Sequence, residues 1–478
     1  MIFQSLDYLI FFVAVFAGYW SLPHRGQNLL LLAAGYYFYG CVHPWYLSLV
    51  LLTTIVDFTS ARMIERFPQR KRLFLAATVA TNFGVLGVFK YFGFFATNIS
   101  GILTAAGWRV PEWTLQIALP VGISFYTFQN VAYVVDVYRG KISACKNPLD
   151  YALFGTFFPQ LVAGPIERAG HLLAQVENSR RFSFVQARSG LLLIVWGLFK
   201  KLAIADNVAV IANKAFGLHD TSFAVLWAGV FAFSVQIYAD FSAYTDIARG
   251  SARLLGFDLM ENFRHPWLAT SPADFWRRWH ISLSTWLRDY VYIPLGGSRG
   301  SRLQVACNLM ITFLISGLWH GASWNFILWG SYWGALMVIE RNFRTPEKSE
   351  STIQTGRFNG IRQTGAVLTT FALTNLGWLF FREQNIQRIF HDLTLNPFSV
   401  PASHWRIGAF FAMLTLIYSL PLILHAVWDL RVKPLLESRG NESSWTWTLI
   451  QSAAGLLLFA GILTLASEVG SDFIYFKF

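Results

Sequence analysis

Between Leu303 and Asn325 the chain reads Leu-Gln-Val-Ala-Cys-Asn308-Leu-Met-Ile-Thr312-Phe-Leu-Ile-Ser316-Gly-Leu-Trp-His320-Gly-Ala-Ser-Trp-Asn325. Asn308, Thr312, Ser316 and His320 recur every fourth residue, which on a helix makes a slowly winding polar stripe on an apolar cylinder. Such a stripe must face protein or an internal cavity, because hydrocarbon would leave its hydrogen bonds unmade. Asn308, Thr312 and Ser316 are therefore expected to line a cavity leading to His320. An imidazole with a reference pKa of ~6.5 suits proton abstraction from a hydroxyl. The plainer reading of His320 is one structural hydrogen bond between helices, although ionisable groups at membrane depth are rare and usually functional. Gly317 and Gly321 flank it at a GxxxG spacing, which admits another helix or a substrate.

A second chemical segment lies upstream, from Ser271 to Arg299. Ser271, Pro272 and Asp274 make a helix start: a hydroxyl cap, proline in the first turn, an acid at the positive end. Phe275–Asp289 mixes aromatics with charges and reads as an interfacial or partly buried helix, with Trp at the membrane boundary and Arg reaching water. Arg277, Arg278, Arg288 and Arg299 suit the phosphates of coenzyme A or of a carrier's phosphopantetheine. The alternative is a basic anchor on anionic lipid. His280 lies inside this segment. Neither His280 nor His320 has an HExxH spacing, and Cys41, Cys145 and Cys307 lie far apart without a CxxC, so no metal site is expected. No GxSxG elbow marks a serine nucleophile. Asp240 and Asp246, in an apolar stretch, read as structural partners of Arg or backbone groups.

The elements that hold these residues are membrane helices. The chain has 478 residues, 54% hydrophobic and 13% charged, far below the ~25% charge of a soluble domain. Its 19 Trp and 18 Tyr suit the headgroup boundary. The net charge of +12 could suggest nucleic acid, but no binding motif is present and the basic residues sit in short stretches between apolar runs, as positive-inside loops do. Apolar segments near 6–22, 28–42, 46–61, 73–92, 117–137, 149–165, 188–214, 222–239, 303–319, 323–340, 364–381, 407–428 and 446–467 give 11–13 transmembrane or partial helices. The first lacks the basic flank of a signal peptide and reads as a retained span. With His24-Arg25 and the dense basic stretch Arg62–Arg72 on one side, the N-terminus is expected outside. No repeat or soluble domain interrupts the chain, so residues 1–478 read as one membrane domain with an aromatic tail at 471–478.

Phe275-Trp-Arg-Arg-Trp-His-Ile-Ser-Leu-Ser-Thr-Trp-Leu-Arg-Asp-Tyr290 and Ser316-Gly-Leu-Trp-His-Gly321 resemble the two diagnostic blocks of the membrane-bound O-acyltransferases. Pro120–Gln129, Phe158–Arg168 and Tyr238–Ala248 resemble blocks of its alginate-acetylation branch, in the same order. The resemblance implies an all-α integral membrane fold, its helices in a ring around a central funnel, with His320 as catalytic histidine and His280 at the second conserved polar position. It implies acetyl transfer from a cytoplasmic thioester, acetyl-CoA or an acyl carrier, with no bound cofactor. The acetyl group would pass outward across the bacterial cytoplasmic membrane to a polysaccharide or wall glycan, through a separate extracytoplasmic acetyltransferase partner. D-alanyl transfer to teichoic acid and a transporter or flippase are the rival readings. The tail Phe473-x-Tyr475-x-x-Phe478 resembles the C-terminal motif of a small D-alanylation partner, which makes Tyr475 an acyl-relay candidate beside its reading as an aromatic interfacial anchor.

Overall fold

The computed structural model describes residues 2–108, 120, 122–162, 164–218, 221–343, 357–437, 445–467 and 470–474. Every regular element among them is helical. Among the described residues seven helices are long and apolar enough to cross a membrane: Tyr46–Arg66, Pro68–Ala105, Phe223–Leu254, Arg302–His320, Gly360–Arg382, Ala402–Leu435 and Trp447–Leu465. The chain is thus an all-α integral membrane protein.

Several expected spans are broken, and their polar and proline residues say why. The segment expected at 149–165 divides into Pro148–Thr156 and Phe158–Leu161, with Pro159 at the start of the second piece. The segment at 188–214 runs as Phe184–Phe199, a π-type turn Lys200–Ala205, and Asp206–Phe216. Such turns insert a residue into the helical ladder and recur at functional sites. The segment at 222–239 is instead part of one 32-residue helix, Phe223–Leu254.

The described chain packs as two compact units. Met1–Leu191 and Ile247–Met260 form the first. Its interior includes a cluster of Tyr39, Tyr46, Val50, Leu86, Ile123, Tyr126 and Leu161. Buried polar bonds fasten its helices: Asn82 Nδ2 donates to Asp57 Oδ1 at 2.9 Å, and the Tyr8 hydroxyl donates to Ser251 Oγ at 2.9 Å.

Leu192–Asp246 and Glu261–Phe478 form the second unit, which holds both histidines. Its centre is aromatic. Phe275 stacks on Trp333 at 5.1 Å and on Trp279 at 5.7 Å, and Trp279 meets Trp378 at 4.9 Å. Trp276, Trp279 and Trp286 are all buried within the protein, in line with a partly buried helix, while Arg277 is more than half exposed. A helix with aromatics on one side and arginines on the other buries its large apolar rings among others when such partners exist.

Candidate active site

Arg302–His320 is capped by Ser301, whose hydroxyl accepts from the Gln304 amide, and ends at His320, where Gly321 is extended. At about 1.5 Å per residue its 19 residues span about 29 Å. Helix Trp324–Phe343 folds back against it, and the crossing is close because both faces carry glycine. A Cβ at Gly317 would lie 2.2 Å from the Phe326 carbonyl oxygen, and one at Gly330 would lie 2.5 Å from that of Phe313. The approach foreseen for the GxxxG pair is therefore filled by this helix.

The stripe on Arg302–His320 faces protein. Asn308, Thr312, Ser316 and His320 are all buried. Asn308 Nδ2 donates to the Gly297 carbonyl at 3.1 Å, and Thr312 Oγ1 donates back to the Asn308 carbonyl at 2.6 Å. Ser316 Oγ has no hydrogen-bond partner among the described residues. His320 is enclosed by rings, with centroids at 4.9 Å for Trp319, 5.0 Å for Trp329 and 5.2 Å for Phe381.

The start of the second block is as its sequence foretells: Ser271 Oγ accepts from the Asp274 amide and Pro272 opens the helix. The single helix expected over Phe275–Asp289 is divided, however. Pro272–Arg278 stops, His280 adopts a left-handed backbone with φ +42°, and Ile281–Leu287 begins anew. A left-handed conformation is costly for a residue with a Cβ and persists where surrounding bonds impose it. Asn262 supplies them. Its carbonyl accepts from the Ile281 amide at 3.0 Å, and its side-chain Oδ1 accepts from the Ser282 amide at 3.1 Å and Ser282 Oγ at 2.8 Å. The same Oδ1 lies 3.2 Å from His280 Nδ1. Because the Ser282 amide can only donate, the Asn262 atom facing it is the oxygen, so Nδ1 of His280 carries the proton and Nε2 the lone pair. Burial pushes the His280 imidazole down to about 3, which keeps it neutral. Asn262 is fully buried and was not singled out from the sequence. A lone Asn in a polar loop gives no signal of three converging donors eighteen and twenty positions away.

Trp319 joins the two blocks. Its ring centroid lies 5.7 Å from that of His280 and 4.9 Å from that of His320. On its other side His280 meets Phe241 edge-on at 4.8 Å.

The arginines are largely engaged with local acids. Arg277 and Arg278 share Asp274, at 3.3 and 3.1 Å, and Arg288 pairs with Asp289 at 2.8 Å. Asp240 and Asp246 are structural partners: Asp240 accepts from the Ile474 backbone amide at 2.7 Å and pairs with Lys201 at 3.0 Å, and Asp246 pairs with Lys200 at 2.7 Å. Tyr475 lies outside the described residues. Phe473, two residues before it, is fully buried and stacks on Tyr244 at 4.0 Å.

Two buried imidazoles packed against one indole, in an aromatic surround, suit proton transfer to or from a hydroxyl. The comparisons with known proteins support an acyltransferase. The membrane-bound O-acyltransferase family model matches residues 143–378. The chain is 36% identical, over all of both chains, to a protein of Azotobacter vinelandii named probable alginate O-acetylase AlgI. It is 39% identical to the protein of that name from Pseudomonas aeruginosa, over 81% of this chain and 73% of the relative. It is 33% identical to a peptidoglycan O-acetyltransferase of Helicobacter pylori, over all of this chain and 98% of the relative. With that coverage and with His280 and His320 packed on a common tryptophan, this chain belongs to the membrane-bound O-acyltransferase family and is an acyltransferase.

Proposed function

We propose that this acyltransferase moves an acetyl group from a cytoplasmic thioester, acetyl-CoA, across the membrane for O-acetylation of an extracytoplasmic polysaccharide or wall glycan. The observation that carries the reading is the buried His280–Trp319–His320 arrangement. In the step, His320 takes the proton of an acceptor hydroxyl as its oxygen attacks the thioester carbonyl. A C–O bond forms, the C–S bond breaks, and the departing thiolate collects the proton. His280, neutral and fixed by Asn262, packs against the same Trp319, and Asn308, Thr312 and Ser316 line the approach. Arg277, Arg278 and Arg288 receive the donor's phosphates. Arg277 and Arg288 are more than half exposed, which leaves them reachable by a soluble anion despite their acidic neighbours.

The named activities of the relatives, on alginate and on peptidoglycan, motivate a glycan as final acceptor. An extracytoplasmic acetyltransferase completes delivery, and the enzyme sits in the bacterial cytoplasmic membrane with its N-terminus outside. Tyr475 is the proposed relay: its phenol, with a reference pKa of ~10, needs a base such as His320, and an aryl ester readily passes its acyl group on. Purified protein offered radiolabelled acetyl-CoA should turn it over, and His320→Ala should lose about 10²–10⁴-fold in rate. Turnover only with a D-alanyl carrier thioester would favour the teichoic acid reading, and binding without turnover would favour transport. Glycan acetylation that survives Tyr475→Phe would remove the relay and leave the transferase.

A further inference from the structure

Lys201 lies fully buried in the π-type turn Lys200–Ala205. Its Nζ is 2.8 Å from Asp206 Oδ1 and 3.0 Å from Asp240 Oδ1, and donates to the Ser471 carbonyl at 2.7 Å. Nζ also donates to Ser471 Oγ at 3.2 Å, so the ammonium makes two hydrogen bonds to Ser471 beside its two ion pairs. The acids bind the same segment in turn. Ser471 Oγ donates to Asp206 Oδ1, and the Ile474 amide donates to Asp240 Oδ2 at 2.7 Å. One cation beside two carboxylates leaves a surplus of negative charge, which suits these N–H and O–H donors.

The bonds to the Ser471 carbonyl and the Ile474 amide are to main chain, which is how a protein grips an extended peptide. Upstream the segment runs along the same turn: the Ser467 amide donates to the Leu202 carbonyl at 3.2 Å, and Asn207 Nδ2 donates to the Leu465 carbonyl at 2.7 Å. Downstream Phe473 lies 5.9 Å from Phe241, the ring that meets His280 at 4.8 Å. Buried charges persist only when each is fully satisfied. Here the segment completes the set, since without it Lys201 loses an acceptor and Asp240 a donor.

We infer that Lys201, Asp206 and Asp240 form a docking clasp for the chain's own Ser471–Ile474, and that the clasp holds Phe473 one ring away from His280 in support of acyl transfer. Lys201 is on this account a positioning residue. The docking stands on its own geometry, whereas its consequence for transfer rests on the acyl-transfer reading above.

The test digests the purified full chain in detergent with a carboxypeptidase and follows its intact mass. The wild-type protein should lose no more than residues 475–478. Lys201→Met and Ile474→Pro should both be trimmed past Ser471. In both, transfer to the acceptor should fall on the order of 100-fold, as expected of a misplaced reactant, while thioester cleavage is retained. Ile474→Pro removes the amide donor while leaving all three buried charges in place, so it decides the matter if Lys201→Met does not fold. A tail protected in both variants, or a released tail with transfer unchanged, overturns the inference. Absence of acetyl transfer in the wild-type protein would instead overturn the reading beneath it and leave the protection result intact.

Discussion

Asn262 Oδ1 lies 3.2 Å from His280 Nδ1 and holds that imidazole in one tautomer. The bond, with those to Ser282, fixes a histidine in a backbone conformation it would otherwise avoid. Asn262→Ala removes the acceptor of several buried donors, and leaving a buried donor unmet costs about 1–3 kcal/mol. Lower melting temperature together with lost acetyl transfer is the expected result. Thermal unfolding and turnover of the purified variant measure both.

His280 also sets a dependence on pH. Its imidazole is pushed down to about 3 by burial, against ~6.5 in an unfolded chain. Below the higher value the unfolded state binds a proton that the folded state refuses. Stability therefore falls as pH drops from ~6.5 and continues to fall until the folded group itself protonates near 3. His280→Gln should flatten the melting-temperature profile across that window, and a profile as steep as the wild type would place the titrating group elsewhere.

Glycines differ sharply in what a methyl group would meet. Gly317→Ala drives a Cβ to 2.2 Å from the Phe326 carbonyl oxygen, whereas a Cβ at Gly84 meets nothing within 4 Å. Overpacking costs about 1–3 kcal/mol, while alanine in an open helix gains up to about 1. Gly317→Ala should lower the melting temperature and Gly84→Ala should hold or raise it.

Ser316 separates a packing role from one in the reaction. Its hydroxyl is buried and finds no partner among the described residues, so Ser316→Ala removes an unmet polar group and should leave stability equal or higher. A drop in turnover of about tenfold, the worth of one ~1.4 kcal/mol hydrogen bond, is expected if the hydroxyl meets substrate or a bridging water. Unchanged turnover would assign the stripe to helix packing.

Orientation is open to labelling. The dense basic stretch Arg62–Arg72 is expected on the cytoplasmic side. A cysteine placed there should resist impermeant thiol reagents in intact cells and react after lysis.

The all-helical class and the two histidine blocks were legible because they are local patterns. The four-residue recurrence from Asn308 to His320 needs only helical periodicity to place it on a buried face, and that is where it lies. The division of the Phe275–Asp289 helix was not legible, because its cause is Asn262, which acts from outside the segment. The burial of the tryptophans around Trp279 likewise depends on partners such as Trp333 and Trp378. Sequence showed that these rings are amphipathic and aromatic, and the fold decided which side won. Asp240 and Asp246 were placed correctly as structural acids, but their lysines lie some forty positions away on a turn that interrupts an apolar span.

The pairing of those lysines also bears on the enzyme's survival of its own chemistry. An amine beside an activated ester would be acylated to an amide, a product no hydroxyl can reverse. Lys200 and Lys201 are both buried in the unit that holds His280, and Lys201 lies 5.9 Å from the Tyr244 ring on which Phe473 stacks. Each is ion-paired, Lys200 to Asp246 and Lys201 to Asp206 and Asp240, and an amine held in such a pair has no lone pair to attack with. The carboxylates thus act as chemical protection, and a lysine robbed of its acid would become a suicide acceptor.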